Sequence, residues 1–290
     1  GDHRDLHYPL RRQRQMCIRD RGNNDWMQAR EFQAETYGYD KYLGGCHMIP
    51  NHAIIILSLL FGDDDLQKTL MIVNTAGHDT DCNSGNVGCI MGIKNGLEGL
   101  RNGPDYLTPI QDRMYCPTAN GGETQTDALT EAYKVINTAK RMNKEEIVEP
   151  KNGSRFHFEM PGSVQGWRSS FKNNKNISTI VQNTEYESNI GKRALEIKFD
   201  RVAPGVCSEA VVDTFFPQEL YELTGSARER FFQSYNFISC PLLYSGQNIE
   251  SEIIFKSNSQ KPITVTCFIN VFGEEDNYER INSELSLIHI

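Results

Sequence analysis

The sequence predicts two dissimilar parts, a helical bundle followed by an antiparallel β region. Up to residue 142, apolar residues recur at steps of three and four, the spacing of one helix face. Beyond residue 155, apolar and polar residues alternate, which is typical of half-buried strands. Residues 143–154 are polar and contain Pro150 and Gly153, which indicates a linker. We therefore expect a partial all-α domain over residues 22–142 and a β-sandwich or jelly roll over residues 155–284.

Three helices are predicted before residue 76. The first starts at Asn24 and stops at Gly38, with an apolar face formed by Trp26, Ala29, Phe32 and Tyr37. The second has Pro50 in its first turn, where the missing N–H is not needed, and continues through the apolar residues 53–61. The third spans about residues 65–75. Short connections between these helices indicate antiparallel neighbours in a bundle.

A fourth helix, from about residue 81, has an unusual glycine pattern. Its glycines recur at steps of three and four, at Gly85, Gly88, Gly92, Gly96 and Gly99. Each glycine in a helix costs about 1 kcal/mol relative to alanine, so close packing by neighbouring helices is needed to offset them. We therefore predict a central helix that is buried on nearly all sides.

A loop over residues 102–123 and a fifth helix over residues 126–142 complete the helical part. The loop contains three prolines and a Gly-Gly pair. The helix carries Leu129, Ala132, Tyr133, Ile136 and Ala139 on one predicted face. Thr124 and Asp127 precede it in an arrangement typical of a helix cap, and we favour that structural role for Asp127.

Two carboxylates, Asp79 and Asp81, lie where the chain enters the glycine-rich helix. Mg²⁺ takes oxygen ligands and keeps several waters, so a few side-chain oxygens at one turn can hold it when another part of the protein faces them. Aspartate at a helix start also caps free N–H groups and complements the helix dipole. Both interpretations are open for the pair taken alone.

Residues 77–83, reading GHDTDCN, and the glycine-rich helix that follows resemble the last metal-binding motif of the ADP-ribosylglycohydrolase family. The resemblance covers about residues 25–142. It implies an all-helical enzyme with two Mg²⁺ ions that cleaves the glycosidic bond between ADP-ribose, or a related ribosyl group, and a protein or small-molecule acceptor. It also implies that Asp79 and Asp81 are metal ligands. The next family position is usually Ser or Thr, whereas here it is Cys82, a candidate ligand whose thiol suits a hard cation poorly.

The resemblance leaves the catalytic residues unassigned. Family members complete their site with acidic and threonine residues from an early motif, and we find no equivalent in residues 22–73. We therefore expect the chain to be the C-terminal portion of a longer enzyme that has little or no activity alone.

Four residues are candidates for substrate binding, namely His47, Asn51, His78 and Asn83. His47 and Asn51 lie at the start of the second predicted helix, where a phosphate or the metal site could approach. A capping or packing role is the alternative for His47. Cys46 beside His47 also suggests a thiol nucleophile with its base, but adjacent residues rarely point at one another.

Two other function classes compete with the hydrolase. A glycosyltransferase would use Asp-x-Asp to bind Mn²⁺ and a sugar nucleotide, but that requires βαβ units, and the flanks of Asp79 are helical. A non-catalytic protein would bind carbohydrate or protein through the β region. Residues 155–158, reading RFHF, and Trp167 could then form an aromatic platform for a glycan, although such aromatics more often form the core.

Composition narrows the possible partners. The net charge of −8 disfavours nucleic acid, and no stretch of about 20 apolar residues predicts a membrane span. The eight cysteines show no zinc-type spacing, so free thiols in the cytoplasm fit best, with secretion as the alternative.

Both ends of the chain have an unusual composition. Residues 1–21 carry six arginines against three aspartates, and the last six residues read LSLIHI. A basic arm for an anionic partner is one interpretation of residues 1–21. Both segments also resemble translated adapter read-through at the ends of metagenomic gene fragments, so we expect residues 1–21 and 285–290 to be non-native.

Overall fold

The computed structural model describes residues 25–42, 44–115, 121–170, 179–199, 208–215, 223–234, 240–258, 263–272 and 278–282. Two compact units make up the chain, Gly1–Leu242 and Leu243–Ile290. The two segments predicted to be non-native lie outside the described residues. Among the described helices, none has the length and apolar character needed to cross a bilayer.

The helices of the first unit follow the sequence pattern closely. They are α1 (Trp26–Tyr37), α2 (Met48–Phe61), α3 (Leu66–Thr75), α4 (Thr80–Arg101), α5 (Ala128–Met142) and α6 (Gly225–Ser234). The predictions for α1 to α5 are confirmed to within two residues at nearly every end, whereas α6 was not predicted. Aspartate caps stabilise the starts of α1, α3 and α5. Asp25 accepts a hydrogen bond from Met27 N at 2.9 Å, Asp65 accepts one from Lys68 N at 2.6 Å, and Asp127 caps α5.

One apolar core holds α2, α3 and α4 together. Its buried members are Ile54, Leu66, Val73, Ala76, Val87 and Met91. A second cluster of Ala29, Leu57 and Ile72 joins α1 to α2 and α3, and Trp26 packs against both clusters. Burial of each large aliphatic side chain stabilises the fold by about 1.5–3 kcal/mol. The core therefore fixes the turn between α3 and α4, where the candidate metal ligands lie.

Helix α4 does not have the buried central position that its glycines predict. Within this fully described helix, Asn83, Val87 and Met91 are the buried residues, and Ile93 is 84% exposed. A Cβ added at Gly85 or Gly92 would meet no atom within 4 Å beyond the adjacent residues and backbone of α4 itself. The prediction is wrong because α4 packs through one face on α2 and α3, and a repeat of small residues does not specify how many neighbours a helix has.

One glycine of α4 has a conformational reason for its presence. Gly96 has φ 61° and ψ −162° and interrupts the helical backbone. A side chain is strained at this φ, so glycine suits the kink that it forms.

The predicted apolar face of α5 is also largely exposed. Leu129 is its buried residue, whereas Ile136 is 46% exposed. Asp127 is the N-cap and accepts a hydrogen bond from Thr130 N at 2.8 Å, so its predicted structural role is confirmed.

The described strands form four separate antiparallel pairs. In the first unit these are β1 (Arg113–Tyr115) with β2 (Gln125–Asp127), β3 (Arg168–Ser169) with β6 (Ala210–Val211), and β4 (Thr179–Glu185) with β5 (Arg193–Phe199). The second unit contains β7 (Phe268–Phe272) paired with β8 (Tyr278–Asn282). The alternating pattern predicts strands at residues 194–199, 210–215 and 263–271. The first is confirmed as β5, whereas β6 and β7 are shorter than the other two predicted strands. Separate pairs do not confirm the predicted β-sandwich or jelly roll.

Polar contacts organise the segment that precedes β3. Asp112 Oδ2 accepts hydrogen bonds from Ser163 Oγ at 2.6 Å, Val164 N at 2.8 Å and Gln165 N at 3.1 Å. The predicted linker contains a turn at Pro150–Gly153, in which Lys151 and Asn152 have positive φ of 47° and 56°. Hydrogen bonds to a carboxylate, rather than a large apolar core, thus anchor this part of the first unit.

Candidate metal centre

The turn between α3 and α4 brings the three predicted metal ligands together. One ligand atom each from Asp79, Asp81 and Cys82 lies within 4.8 Å of the other two. The chain reaches this arrangement through two residues with positive φ, Gly77 at 81° and His78 at 64°. Positive φ is uncommon for a residue other than glycine, so the conformation of His78 is a local strain that the surrounding contacts maintain.

The Asp79 carboxylate is not used to cap the helix. Asp79 occupies the N-cap position of α4, but its side chain accepts no capping hydrogen bond. It accepts a hydrogen bond from Asn51 Nδ2 at 3.3 Å instead. The buried Asn51 is itself held by Tyr39, whose hydroxyl donates to Asn51 Oδ1 at 2.5 Å. Asn51 therefore orients Asp79 from α2, and the capping interpretation is left to Asp81 in the first turn.

Two thiols adjoin the same carboxylate. The Cys46 thiol, from the segment before α2, and the Cys82 thiol both contact the side chain of Asp79. The negative Asp79 carboxylate raises the pKa of each thiol. The pKa of Asp79 is lowered, mainly by its hydrogen bond to Asp81 and to a smaller extent by its hydrogen bonds to the Cys46 and Cys82 thiols. A raised pKa argues against Cys46 as an activated nucleophile, in agreement with the sequence-based argument.

His47 lies at the start of α2 in a capping position. Its Nδ1 accepts a hydrogen bond from Ile49 N at 3.2 Å, and its ring centroid lies 5.1 Å from that of Tyr42. These contacts correspond to capping and packing, the role that the sequence predicts as the alternative to substrate binding by His47. The structure places no contact between His47 and the three clustered ligands in the described part of the chain.

His78 and Asn83 lie beside the cluster but contact the protein interior. His78 Nε2 pairs with Gln33 Oε1 at 3.2 Å, and its ring packs at a tilt of 32° against Tyr39, with ring centroids 4.3 Å apart. Burial, followed by Arg30, lowers the pKa of His78. Asn83 is 1% exposed, and its side-chain nitrogen has no hydrogen-bond partner among the described residues. His78 thus anchors the turn to α1, while substrate binding by either residue stays a prediction.

The residues present fit a divalent cation in part. Asp79 and Asp81 offer carboxylate oxygens at a partly exposed turn, which suits Mg²⁺ with bound waters. The Cys82 thiol does not suit Mg²⁺, because sulfur is a soft ligand. Asp79 and Asp81 are therefore the residues that would hold Mg²⁺.

The predicted aromatic platform is packed on itself. Phe156 stacks on Phe158 with ring centroids 6.3 Å apart, and Trp167 lies edge-on to Phe156 at 5.8 Å. His157 is buried and meets Tyr133 edge-on at 5.2 Å. These contacts resemble a small core more than a flat surface for a sugar ring.

A small pocket of about 20 Å³ was not anticipated from the sequence. Its lining includes Arg113, Tyr115, Gln125, Arg155, Phe156 and Asp213. Asp213 pairs with the neighbouring Arg168 at 2.9 Å and with Arg113 at 3.8 Å. The pKa of Tyr115 is raised, mainly by burial of its hydroxyl and to a smaller extent by the negative charge of Asp213. These groups come from segments roughly 100 residues apart and carry no local motif, so no short-range signal in the sequence reveals them.

Comparison with protein-family models, curated proteins and solved structures gives no match for this chain.

Proposed function

We propose that this chain carries the cation-binding part of a Mg²⁺-dependent hydrolase of the ADP-ribosylglycohydrolase type. Its substrate would be an ADP-ribosylated protein or a small ADP-ribosyl or ribosyl compound. The observation that carries the proposal is the cluster of Asp79, Asp81 and Cys82, whose ligand atoms lie within 4.8 Å of one another at the start of a helix. The hydrogen bond from Asn51 Nδ2 at 3.3 Å adds support, because it holds the Asp79 carboxylate in one orientation beside Asp81.

The reaction sets clear requirements for the site. Hydrolysis breaks the bond between ribose C1 and the acceptor atom, joins the oxygen of water to C1, and returns a proton to the acceptor. Bound Mg²⁺ supplies Lewis-acid stabilisation of the ribose oxygens. The chain contributes Asp79 and Asp81 as ligands, and Asn51 keeps Asp79 in position. No catalytic acid or base is assigned among the described residues.

Calorimetric titration tests the proposal. Mg²⁺ and then ADP-ribose are titrated into the 290-residue chain and into an Asp79→Asn, Asp81→Asn variant. We expect ADP-ribose to bind when Mg²⁺ is present, and the double change to abolish this binding because neutral amides replace both anionic ligands.

A matched control is available on the loop before α3. Asp63 and Asp64 are adjacent, exposed acids that pair with Lys68 and Lys94. An Asp63→Asn, Asp64→Asn variant removes the same charge and should bind as the unmodified chain does. The proposal would be overturned if ADP-ribose bound equally well without Mg²⁺, or if it did not bind when Mg²⁺ was present.

The alternative is a non-catalytic protein that binds carbohydrate or protein through its β region. The contacts among Phe156, Phe158 and Trp167 favour it less, since these rings pack on one another. Glycan binding by the 290-residue chain that survives the Asp79→Asn, Asp81→Asn change would favour this alternative.

A further inference from the structure

Two thiols approach the candidate metal ligands from different parts of the chain. Cys82 belongs to the first turn of α4, and Cys46 precedes α2. Both side chains are exposed, and both contact the Asp79 carboxylate. With Asp79 and Asp81 they make a set of two carboxylates and two thiols.

This set of donors matches borderline cations better than hard ones. Zn²⁺ accepts cysteine sulfur and aspartate oxygen together, usually four ligands in a tetrahedron, whereas Mg²⁺ requires oxygen. Sulfur ligands select zinc and similar metals over magnesium. The chemistry of the two thiols therefore disagrees with a site that serves Mg²⁺ alone.

The spacing of the ligand atoms is close to that required for tetrahedral coordination of an ion. Bonds of about 2.0–2.3 Å place neighbouring ligand atoms roughly 3.3–3.8 Å apart. Ligand atoms of Asp79, Asp81 and Cys82 already lie within 4.8 Å of one another, so a contraction of about 1 Å completes the arrangement. Cys46 lies outside this group of three, and its exposed side chain, on the segment before α2, is the candidate for the fourth ligand.

We propose that Cys82 and Cys46 make this cluster a site for Zn²⁺ and similar borderline cations, which bind there more tightly than Mg²⁺ and exclude it. The inference rests on the metal cluster of the proposed function but concerns which cations occupy it. Each thiol that becomes a ligand loses its proton to solvent. The consequence is inhibition by zinc of whatever step depends on Mg²⁺.

Cobalt is the probe, because Co²⁺ replaces Zn²⁺ and gives a near-ultraviolet charge-transfer band when thiolate sulfur is bound. The band is recorded for the 290-residue chain and then titrated with Zn²⁺ and, separately, with Mg²⁺. We expect Zn²⁺ to remove the band at far lower concentration than Mg²⁺ does. Calorimetry gives the affinity of each variant for Zn²⁺ and for Mg²⁺.

Cysteine variants locate the sulfur. Cys82→Ser should remove most of the band and weaken Zn²⁺ binding by at least about 100-fold, and Cys46→Ser should weaken it by about 10–100-fold. Mg²⁺ binding should stay unchanged in Cys46→Ser, because the carboxylates remain, and should not weaken in Cys82→Ser, because the serine hydroxyl offers an oxygen ligand in place of sulfur. Cys89→Ser is the control, since Cys89 is an exposed thiol on the same helix about two turns further on.

The possible outcomes separate this inference from the proposed function. Mg²⁺ binding with no tighter Zn²⁺ binding, or Zn²⁺ binding that Cys82→Ser leaves unchanged, overturns the thiol inference and leaves the carboxylate site intact. Zn²⁺ binding that depends on Cys82 without any Mg²⁺ binding supports the inference and contradicts the Mg²⁺-dependent function. No binding of either cation overturns both.

Discussion

The helical segment from α1 to α4 and the region between Arg155 and Val211 are stabilised in different ways. The helices bury a continuous apolar core in which Ile54, Leu57 and Ile72 are fully inaccessible to solvent. In the second region, Val164 is the buried apolar residue among those described, while His157, Ser163, Gln165, Arg168 and Glu209 are buried polar residues. The first region depends on burial of apolar area, and the second depends more on hydrogen bonds between polar groups.

This difference explains why one region was predicted better than the other. A helix makes its hydrogen bonds within four residues, so its pattern and caps lie together in the sequence. A strand or a buried polar side chain needs a partner that is distant along the chain, such as Asp112 for Ser163.

Truncation of the helical core should have the largest effect. Leu57→Ala removes a fully buried side chain and should lower the free energy of unfolding by about 2–5 kcal/mol. Urea denaturation followed by circular dichroism measures the change. Ile93→Ala is the control, because Ile93 is 84% exposed and its truncation should change stability by less than about 0.5 kcal/mol. Equal effects of the two changes would contradict the described core.

Loss of the Asp112 carboxylate should destabilise the polar region. Asp112→Ala leaves the donors of Ser163, Val164 and Gln165 without their acceptor, at a cost of about 2–3 kcal/mol. Hydrogen exchange should show faster exchange of the Val164 and Gln165 amides, with little change in α2. Exchange that speeds up equally in both regions would show that the two are not separately stabilised.

Removal of the α5 cap should have a moderate effect. Asp127→Ala deletes the acceptor for Thr130 N and should cost about 1 kcal/mol, whereas Asp127→Asn keeps a capping oxygen and should cost less. Urea denaturation of the two variants provides the comparison. A larger cost for asparagine than for alanine would contradict the capping role.

Glycine substitutions on α4 should have small effects of opposite sign. Gly92 is helical with open space beside it, so Gly92→Ala should stabilise the chain by up to about 1 kcal/mol. Gly96 has positive φ, so Gly96→Ala should destabilise it by about 1 kcal/mol. Thermal unfolding of both variants tests the pair. Destabilisation by Gly92→Ala would restore the prediction that this face is closely packed.

Sequence reasoning found part of the candidate site for a physical reason. Asp79, Asp81 and Cys82 are neighbours along the chain, so their proximity follows from local structure alone. The support of Asp79 by Asn51, and of Asn51 by Tyr39, depends on how α2 packs beside the turn. Asn51 was predicted to bind substrate, but no periodicity indicates that it orients a carboxylate.

The central claim is that Asp79 and Asp81 are placed to hold a cation. The most direct measurement is the unfolding temperature of the chain and of its Asp79→Asn, Asp81→Asn variant, each with and without Mg²⁺. A bound cation stabilises the folded state, so Mg²⁺ should raise the unfolding temperature of the unmodified chain and leave the variant unchanged. The account would be contradicted if the variant were less stable by about 1 kcal/mol and Mg²⁺ did not change the unfolding temperature of the unmodified chain. These aspartates would then be helix caps instead.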